Sequence, residues 1–186
     1  MEKGRLVEFK LKGEPVLAIA DRPEGKKNWI LIDIRGHAHT IHPRQVIYEI
    51  PQASCESYQE IAGFVEEADG YIDPENLEVA WELLIEIEES ATPESLAQIL
   101  FSDTSAPLCY AAHQMLSADR LYFKQKGDRY EPRSASQVEE LKLKIEREAA
   151  KEVEWEGFLT RTKAILAGDV IDIEKSDRPR QRLRPR

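Results

Sequence analysis

The 186-residue chain reads as an α+β protein: a small SH3-like β-barrel, a winged helix-turn-helix-like domain, and a long charged helix. Three observations predict this. The first fifty residues are short alternating apolar strands separated by turn residues, the pattern of a small closed sheet. Repeated helix-start signals follow and lead into a hairpin, which is the order of helices and wing. From residue 136 acids and bases then mix at helical spacing. The divisions are 1–50 for the barrel, 51–135 for the winged domain, 136–168 for the helix and 169–186 for a basic linker or tail.

In RLVEFKL (5–11), Val7, Phe9 and Leu11 point one way and Leu6, Glu8 and Lys10 the other. Gly13-Glu14 is expected to turn the chain, VLAIA (16–20) to form the second strand, and Asp21-Arg22-Pro23-Glu24-Gly25 to end it. Residues 28–34 give a third strand with Ile30, Ile32 and Ile34 on one face. Arg35-Gly36 turns into a fourth strand near 37–42, and a short fifth runs from Val46 to Ile50, where Pro51 should stop it.

Residues 56–69 suggest a short helix with Tyr58, Ile61, Phe64 and Val65 as its stripe. A stronger one spans 74–89: Asp73 as cap, Pro74 in first position, then Leu77, Ala80, Trp81, Leu84 and Ile85 at helical spacing. Thr92-Pro93-Glu94-Ser95 repeats the start signal, with Leu96, Ile99 and Leu100 as the apolar face. Ser105 to Ser117 makes the next helix, with Leu108, Ala111, Ala112 and Met115 inward. In LYFKQKGDRYEP, Gly127-Asp128 is a two-residue hairpin loop. It sets Lys126 opposite Arg129 and Lys124 opposite Glu131, with Phe123, Gln125 and Tyr130 on one face and Lys124, Lys126 and Arg129 on the other. The long helix should start at Ser136, with Glu139 at capping-box spacing, carry Val138, Leu141 and Ile145 as a stripe, kink or split at Gly157 and end at Gly168.

The net charge of −9 is unevenly spread. Residues 51–118 contain no Lys or Arg and fourteen acids, whereas the barrel, the 119–135 segment and the tail each carry an excess of two positive charges. A nucleic acid would therefore meet the ends and the wing and be repelled by the middle. No apolar run approaches the roughly 18 residues of a membrane span. MEKGRLVEFK lacks the apolar centre of a signal peptide, so the expected location is cytoplasmic. Cys55 and Cys109 sit in unrelated contexts and read as free thiols.

GRLVEFK, LAIADRPEGKKNWILIDIRG, HTIHPRQV and YFKQKGDRYEPR, followed by a long helix, resemble the N-terminal region of ribonuclease II-like (RNB family) 3′-5′ exoribonucleases of cyanobacteria and plastids. The resemblance implies that a barrel and a helix-turn-helix module stand in for paired cold-shock domains. It also implies that hydrolysis belongs to a domain after residue 186, whose clustered aspartates bind Mg2+. Asp169, Asp172, Glu174 and Asp177 lack the rigid frame that two-metal chemistry needs, and read as solvated charges. No Ser/His/Asp order, phosphate loop or carboxylate pair stands out, so no catalytic residue, metal or cofactor is assigned to this chain.

Single-stranded RNA is the expected partner, with the catalytic domain of the nuclease as a second. The candidate RNA-binding residues are Lys124, Lys126, Arg129 and Arg133 on the wing, and Lys26, Lys27, Trp29, Arg35 and Arg44 on the barrel. Arg178, Arg180 and Arg182, with Arg184 and Arg186, alternate along the tail. Trp29 also reads as core. His37, His39 and His42 read as turn and strand-edge residues, with RNA contact as the alternative; a tetrahedral metal site would need the strand to bend. The helix from Ser105 to Ser117 has no basic residue and offers only Tyr110, His113, Gln114 and serines as polar surface, which disfavours major-groove reading. Two other functions remain open: a protein-interaction module using the acidic helices, and a winged-helix DNA-binding regulator.

Overall fold

A computed structural model describes residues 1–166, apart from the side chains of Arg161, Ala164, Ile165 and Leu166. Five strands, β1 (Arg5–Leu11), β2 (Glu14–Glu24), β3 (Asn28–Asp33), β4 (Ala38–Ile41) and β5 (Val46–Ser54), form an antiparallel sheet in the order β4-β3-β2-β1-β5. A 3-10 turn over Pro43–Gln45 links β4 to β5. This meander, with its last strand returning beside the first, is the SH3-like arrangement. The β1–β2 turn is Lys12-Gly13, not Gly13-Glu14: Leu11 pairs with Glu14, and both turn residues have positive φ, 55° and 97°, as a type I′ hairpin requires.

Two prolines expected to end strands do not. β2 runs through Pro23, which pairs with Trp29, after a register shift between Ala20 and Arg22. β5 runs through Pro51, beside Gln52 at φ 57°. Irregular pairing is where a strand tolerates a residue without an N–H.

The sheet is apolar on both sides. Val7, Phe9, Ala18, Ala20, Leu31 and Ile41 fill the barrel interior. Leu6, Leu17, Ile19 and Ile50 form a second cluster with Ile61, Ala68 and Tyr110 from the helices that follow. Period-two alternation in β1 thus buries Leu6, Val7, Glu8 and Phe9 alike. Each fully buried aliphatic or aromatic side chain contributes about 1.5–3 kcal/mol.

The helices are α1 (Glu60–Asp69), α2 (Asn76–Glu86), α3 (Pro93–Phe101) and α4 (Ala106–Ala118), followed by β6 (Phe123–Lys126) and β7 (Arg129–Pro132). α1 and α2 start later than their apolar patterns suggest. Asp73 still accepts from the Glu75 N–H at 3.1 Å, but the helix proper begins beyond Pro74. α3 has the expected reciprocal cap: Thr92 accepts from the Ser95 N–H, and Ser95 Oγ accepts from the Thr92 N–H. A short bridge between Ala91 and Tyr130 ties the entry of α3 to the hairpin. Leu77, Trp81, Leu84, Leu96, Leu116, Phe123 and Tyr130 share one core, which Val138 joins. Residues 1–138 form one compact unit.

The last helix, α5 (Ala135–Leu166), continues through Gly157 without a break; a mid-helix glycine costs about 1 kcal/mol relative to Ala and need not end the helix. Its cap is Ser134 with Gln137, each accepting the other's backbone N–H, rather than Ser136 with Glu139. Ile145, expected in the stripe, is exposed. From Glu139 on, α5 belongs to a separate unit, where Trp155 and Phe158 stack with ring centroids 5.6 Å apart. The proposed end at Gly168 lies outside the described residues, as do Asp169, Asp172, Glu174, Asp177 and the tail arginines. No helix among the described residues is long and apolar enough to cross a membrane.

Candidate nucleic-acid interface

The hairpin register matches the sequence reading: Lys124 faces Glu131, Gln125 faces Tyr130, and Lys126 faces Arg129. Gly127 turns the chain at φ 67°. Phe123 and Tyr130 are buried, while Lys124, Lys126 and Arg129 are exposed. Lys126 Nζ is 2.8 Å from Glu131 Oε1, and that hydrogen bond raises its pKa. Among the described residues, Lys124 and Arg129 have no ion-pair partner. Arg133 lies at the hairpin base. Its carbonyl accepts from Trp81 Nε1 at 2.7 Å, its N–H donates to the Tyr122 carbonyl, and its side chain is partly buried. It contributes to the packing of the wing before it is a surface cation.

On the barrel, Lys26 and Lys27 occupy the exposed β2–β3 loop, and the Arg35 and Arg44 side chains are exposed. Trp29 is half-buried against the interior cluster.

The three histidines make turn and strand-edge contacts. Asp33, 7% exposed, gathers two of them. Its Oδ1 accepts from the Arg35 and His37 N–H groups at 2.9 Å each, and its Oδ2 lies 2.8 Å from His39 Nε2 and 3.5 Å from His37 Nδ1. Burial acts to raise the Asp33 carboxyl, but the bonds from His39, His37 and Arg35 and the His37 charge outweigh it, so its pKa is lowered. His42 caps the 3-10 turn, its Nδ1 accepting from the Arg44 N–H at 3.1 Å while its own N–H donates to Gln45. Among the described residues, no group of three His, Cys, Asp or Glu side chains is arranged to hold a metal ion. Gly36, in the same loop, has φ 81°, and a Cβ there would stand 3.2 Å from the Tyr58 ring.

Helix α4 departs most from expectation. In a winged helix it occupies the place of the groove-reading helix, and Tyr110 and His113 were its anticipated polar surface. Both are buried, at 5% and 3% exposure. The Tyr110 hydroxyl donates to Glu8 Oε2 at 3.0 Å, and His113 Nε2 lies 3.1 Å from Glu8 Oε1. Tyr48 of β5 stacks on His113 with centroids 4.3 Å apart, and its hydroxyl donates to Glu94 at 2.9 Å. Burial pushes the Tyr48 and Tyr110 hydroxyls upward, with Glu94 and Glu8 adding to it. A polar seam thus joins β1, β5, α3 and α4, and it takes up Tyr110 and His113, two of the polar side chains of α4. The signal available in the sequence was Glu8: a carboxylate beside Leu6 in an apolar strand needs a partner.

Cys109 is buried in α4, its Sγ donating to the Thr104 carbonyl, and burial pushes its thiol up to about 11. Such a thiol is a poor nucleophile. Val79 and Leu83 of α2 and Ile87 at its C-cap recur every four residues, 63%, 43% and 49% exposed.

Comparison with known proteins agrees with this architecture in the barrel and the winged helix, and it places a double HTH model where the described residues form the single helix α5. Three family models match in succession: a CSD-like barrel domain of ribonuclease II over residues 1–61, a ribonuclease II winged helix domain over 63–137, and a double HTH domain over 138–184. An uncharacterized ribonuclease of Synechocystis is 51% identical over 180 residues, covering 97% of this chain and 27% of the relative. A chloroplastic/mitochondrial ribonuclease II of Arabidopsis thaliana is 35% identical over 170 residues, covering 88% of this chain and 21% of the relative. The chain therefore spans about a quarter of the length of these relatives. No solved structure matches at a significant level. With a barrel, a winged helix and a double-HTH segment in the order of those models, the chain belongs to the ribonuclease II family as an N-terminal region.

Proposed function

We propose that this region binds single-stranded RNA and guides it toward a catalytic body of the ribonuclease II type, in the cytoplasm. The observation that carries this reading is the division of labour in the winged helix. α4 is sealed against the barrel, while the hairpin after it presents Lys124, Lys126 and Arg129 to solvent. Groove reading is disfavoured by that burial, and backbone contact through the wing is what remains. Lys26, Lys27, Arg35 and Arg44 add cations on the barrel, and Arg178, Arg180 and Arg182 add them to the tail. No residue of this chain is assigned a catalytic or metal-binding role; magnesium and hydrolysis belong to the catalytic body.

The test is RNA affinity across a salt series. Each phosphate neutralised on a single strand contributes roughly −0.7 to the slope of log affinity against log salt. Replacing Lys124, Lys126 and Arg129 with alanine should flatten that slope by about two. Deleting 178–186 should flatten it separately. An unchanged slope in both variants would remove the wing and the tail from the interface. Absence of binding by the parent at low salt would end the RNA reading.

One observation favours a second reading, a protein-docking face on α2. Val79, Leu83 and Ile87 are exposed beside Glu75, Glu82 and Glu86 in a segment without Lys or Arg. The complementary partner is an amphipathic helix whose aliphatic stripe is flanked by Lys and Arg. Titration with a synthetic helix of that design should give binding that Leu83→Asp removes; equal binding by parent and variant would discard this face.

A further inference from the structure

The two faces of the hairpin differ. Lys124, Lys126 and Arg129 leave one, whereas Gln125, on the other, lines a cleft of about 670 Å3 between the β1–β2 hairpin and the end of α4. Lys10 stands on the barrel wall of this cleft and Arg120 on the opposite wall, where α4 leads into the wing. Ile47 of β5, 39% exposed, and Pro15 supply apolar surface. Gln114 and Gln125 supply amides. A smaller cleft of about 230 Å3 continues past Ile47, His113 and Gln125.

The charge of the larger cleft is favourable to an anion. Its single acidic residue is Glu8, 6% exposed, with one oxygen committed to Tyr110 and the other to His113. Lys10 and Arg120 are both exposed, so the charge a ligand meets at the rim is positive. The volume lies within the range of small-molecule sites, roughly 300–1,000 Å3. Two cations on opposite walls, an apolar side and two amides are together what one nucleotide asks of a site. The cations take phosphate, the apolar side takes a base face, and amides read a base edge.

We propose that this cleft holds one nucleotide of a single-stranded RNA, with the base between Ile47 and the Gln114 and Gln125 amides and the flanking phosphates on Lys10 and Arg120. The inference rests on the RNA-binding reading and adds a second contact region to it, on the hairpin face opposite the wing cations. Sequence reading missed it because Lys10 and Arg120 are 110 positions apart, and neither lies in a basic run.

The experiment uses the whole chain and a labelled oligouridylate containing one 4-thiouridine. Irradiation should crosslink the modified base to the segment around Ile47 or to the segment around Gln125. The pair Lys10→Ala with Arg120→Ala should flatten the salt slope by about 1.4, two contacts at roughly 0.7 each, in addition to the loss caused by the wing substitutions. Gln125→Ala should weaken the crosslink without altering the slope. These side chains are exposed or face the cleft, and unfolding curves of the variants verify that the fold is kept. If the parent binds RNA but the Lys10/Arg120 pair leaves slope and crosslinks unchanged, the cleft is overturned and the wing reading stands. If the parent binds no RNA at low salt, both are overturned.

Discussion

Helix α4 and the hairpin that follows it belong to one motif, yet the protein treats them in opposite ways. α4 is largely covered: eight of its thirteen residues are buried, and only its C-terminal end is exposed. The hairpin buries only Phe123 and Tyr130 and leaves its cations in water. In a groove-reading winged helix the helix carries specificity and the wing assists. Here the helix has become the joint between two domains, held by a carboxylate seam, and the wing is left with the cationic surface. A motif name therefore does not tell which of its parts touches a ligand; burial does.

The comparison can be broken most severely at the seam. Glu8→Ala leaves His113 and Tyr110 buried without their acceptor. Leaving a buried polar group without its partner costs about 1–3 kcal/mol, and two are left here, so the urea midpoint should fall by a corresponding amount. A double-mutant cycle with His113 should show coupling well above the scatter of independent sites. A loss no larger than that of an average surface substitution would mean that water satisfies these groups and that the seam is not a joint.

A smaller effect is expected in the histidine loop, where the barrel has a carboxylate network of its own. The Asp33 pKa is lowered in the fold relative to 3.8. Its contribution is therefore fully present above the unfolded pKa and is lost as pH falls through the folded value, below about pH 4. Asp33→Asn should cost about 1.5 kcal/mol near neutrality, the scale of a hydrogen bond to a charged group, and the penalty should shrink as pH drops through that window. A penalty that stays constant down to pH 2 would show that the charge of Asp33 is not what holds His39. Least affected should be the wing. The alanine variant at Lys124, Lys126 and Arg129 should unfold at the parent's midpoint while losing RNA affinity, which separates the surface role of the hairpin from the packing role of α4.

Much of the fold was legible because it is local. Alternation in 5–11 and 28–34, the Thr92–Ser95 cap and the Gly127-Asp128 loop each state their geometry within a few residues. The misread boundaries share a cause. Pro23 and Pro51 look like stops unless the register shifts that accommodate them are known, and those depend on the neighbouring strand. The site was harder. Lys124, Lys126 and Arg129 could be placed on one face because a hairpin has a two-residue period. The roles of Tyr110 and His113 could not, because the apolar stripe of α4 leaves them on its polar side and only a partner strand about a hundred residues earlier covers that side as well. Trp29 was ambiguous for the same reason: an aromatic on a strand is core or platform according to what lies across the sheet.

The separation of 105 residues between Glu8 and His113 also has a consequence in time. A ribosome adds roughly 5–20 residues per second, so Glu8 is made about 5–20 seconds before the histidine it binds. During that interval the barrel can close over its interior cluster, which is drawn wholly from its own strands. Its outer face, with Leu6, Leu17 and Ile19 around an unpartnered carboxylate, waits for α1 and α4 to emerge. A polar group amid that apolar surface works against edge-to-face association of an unfinished sheet, in the manner of a gatekeeper, until the helix that hydrogen-bonds it arrives.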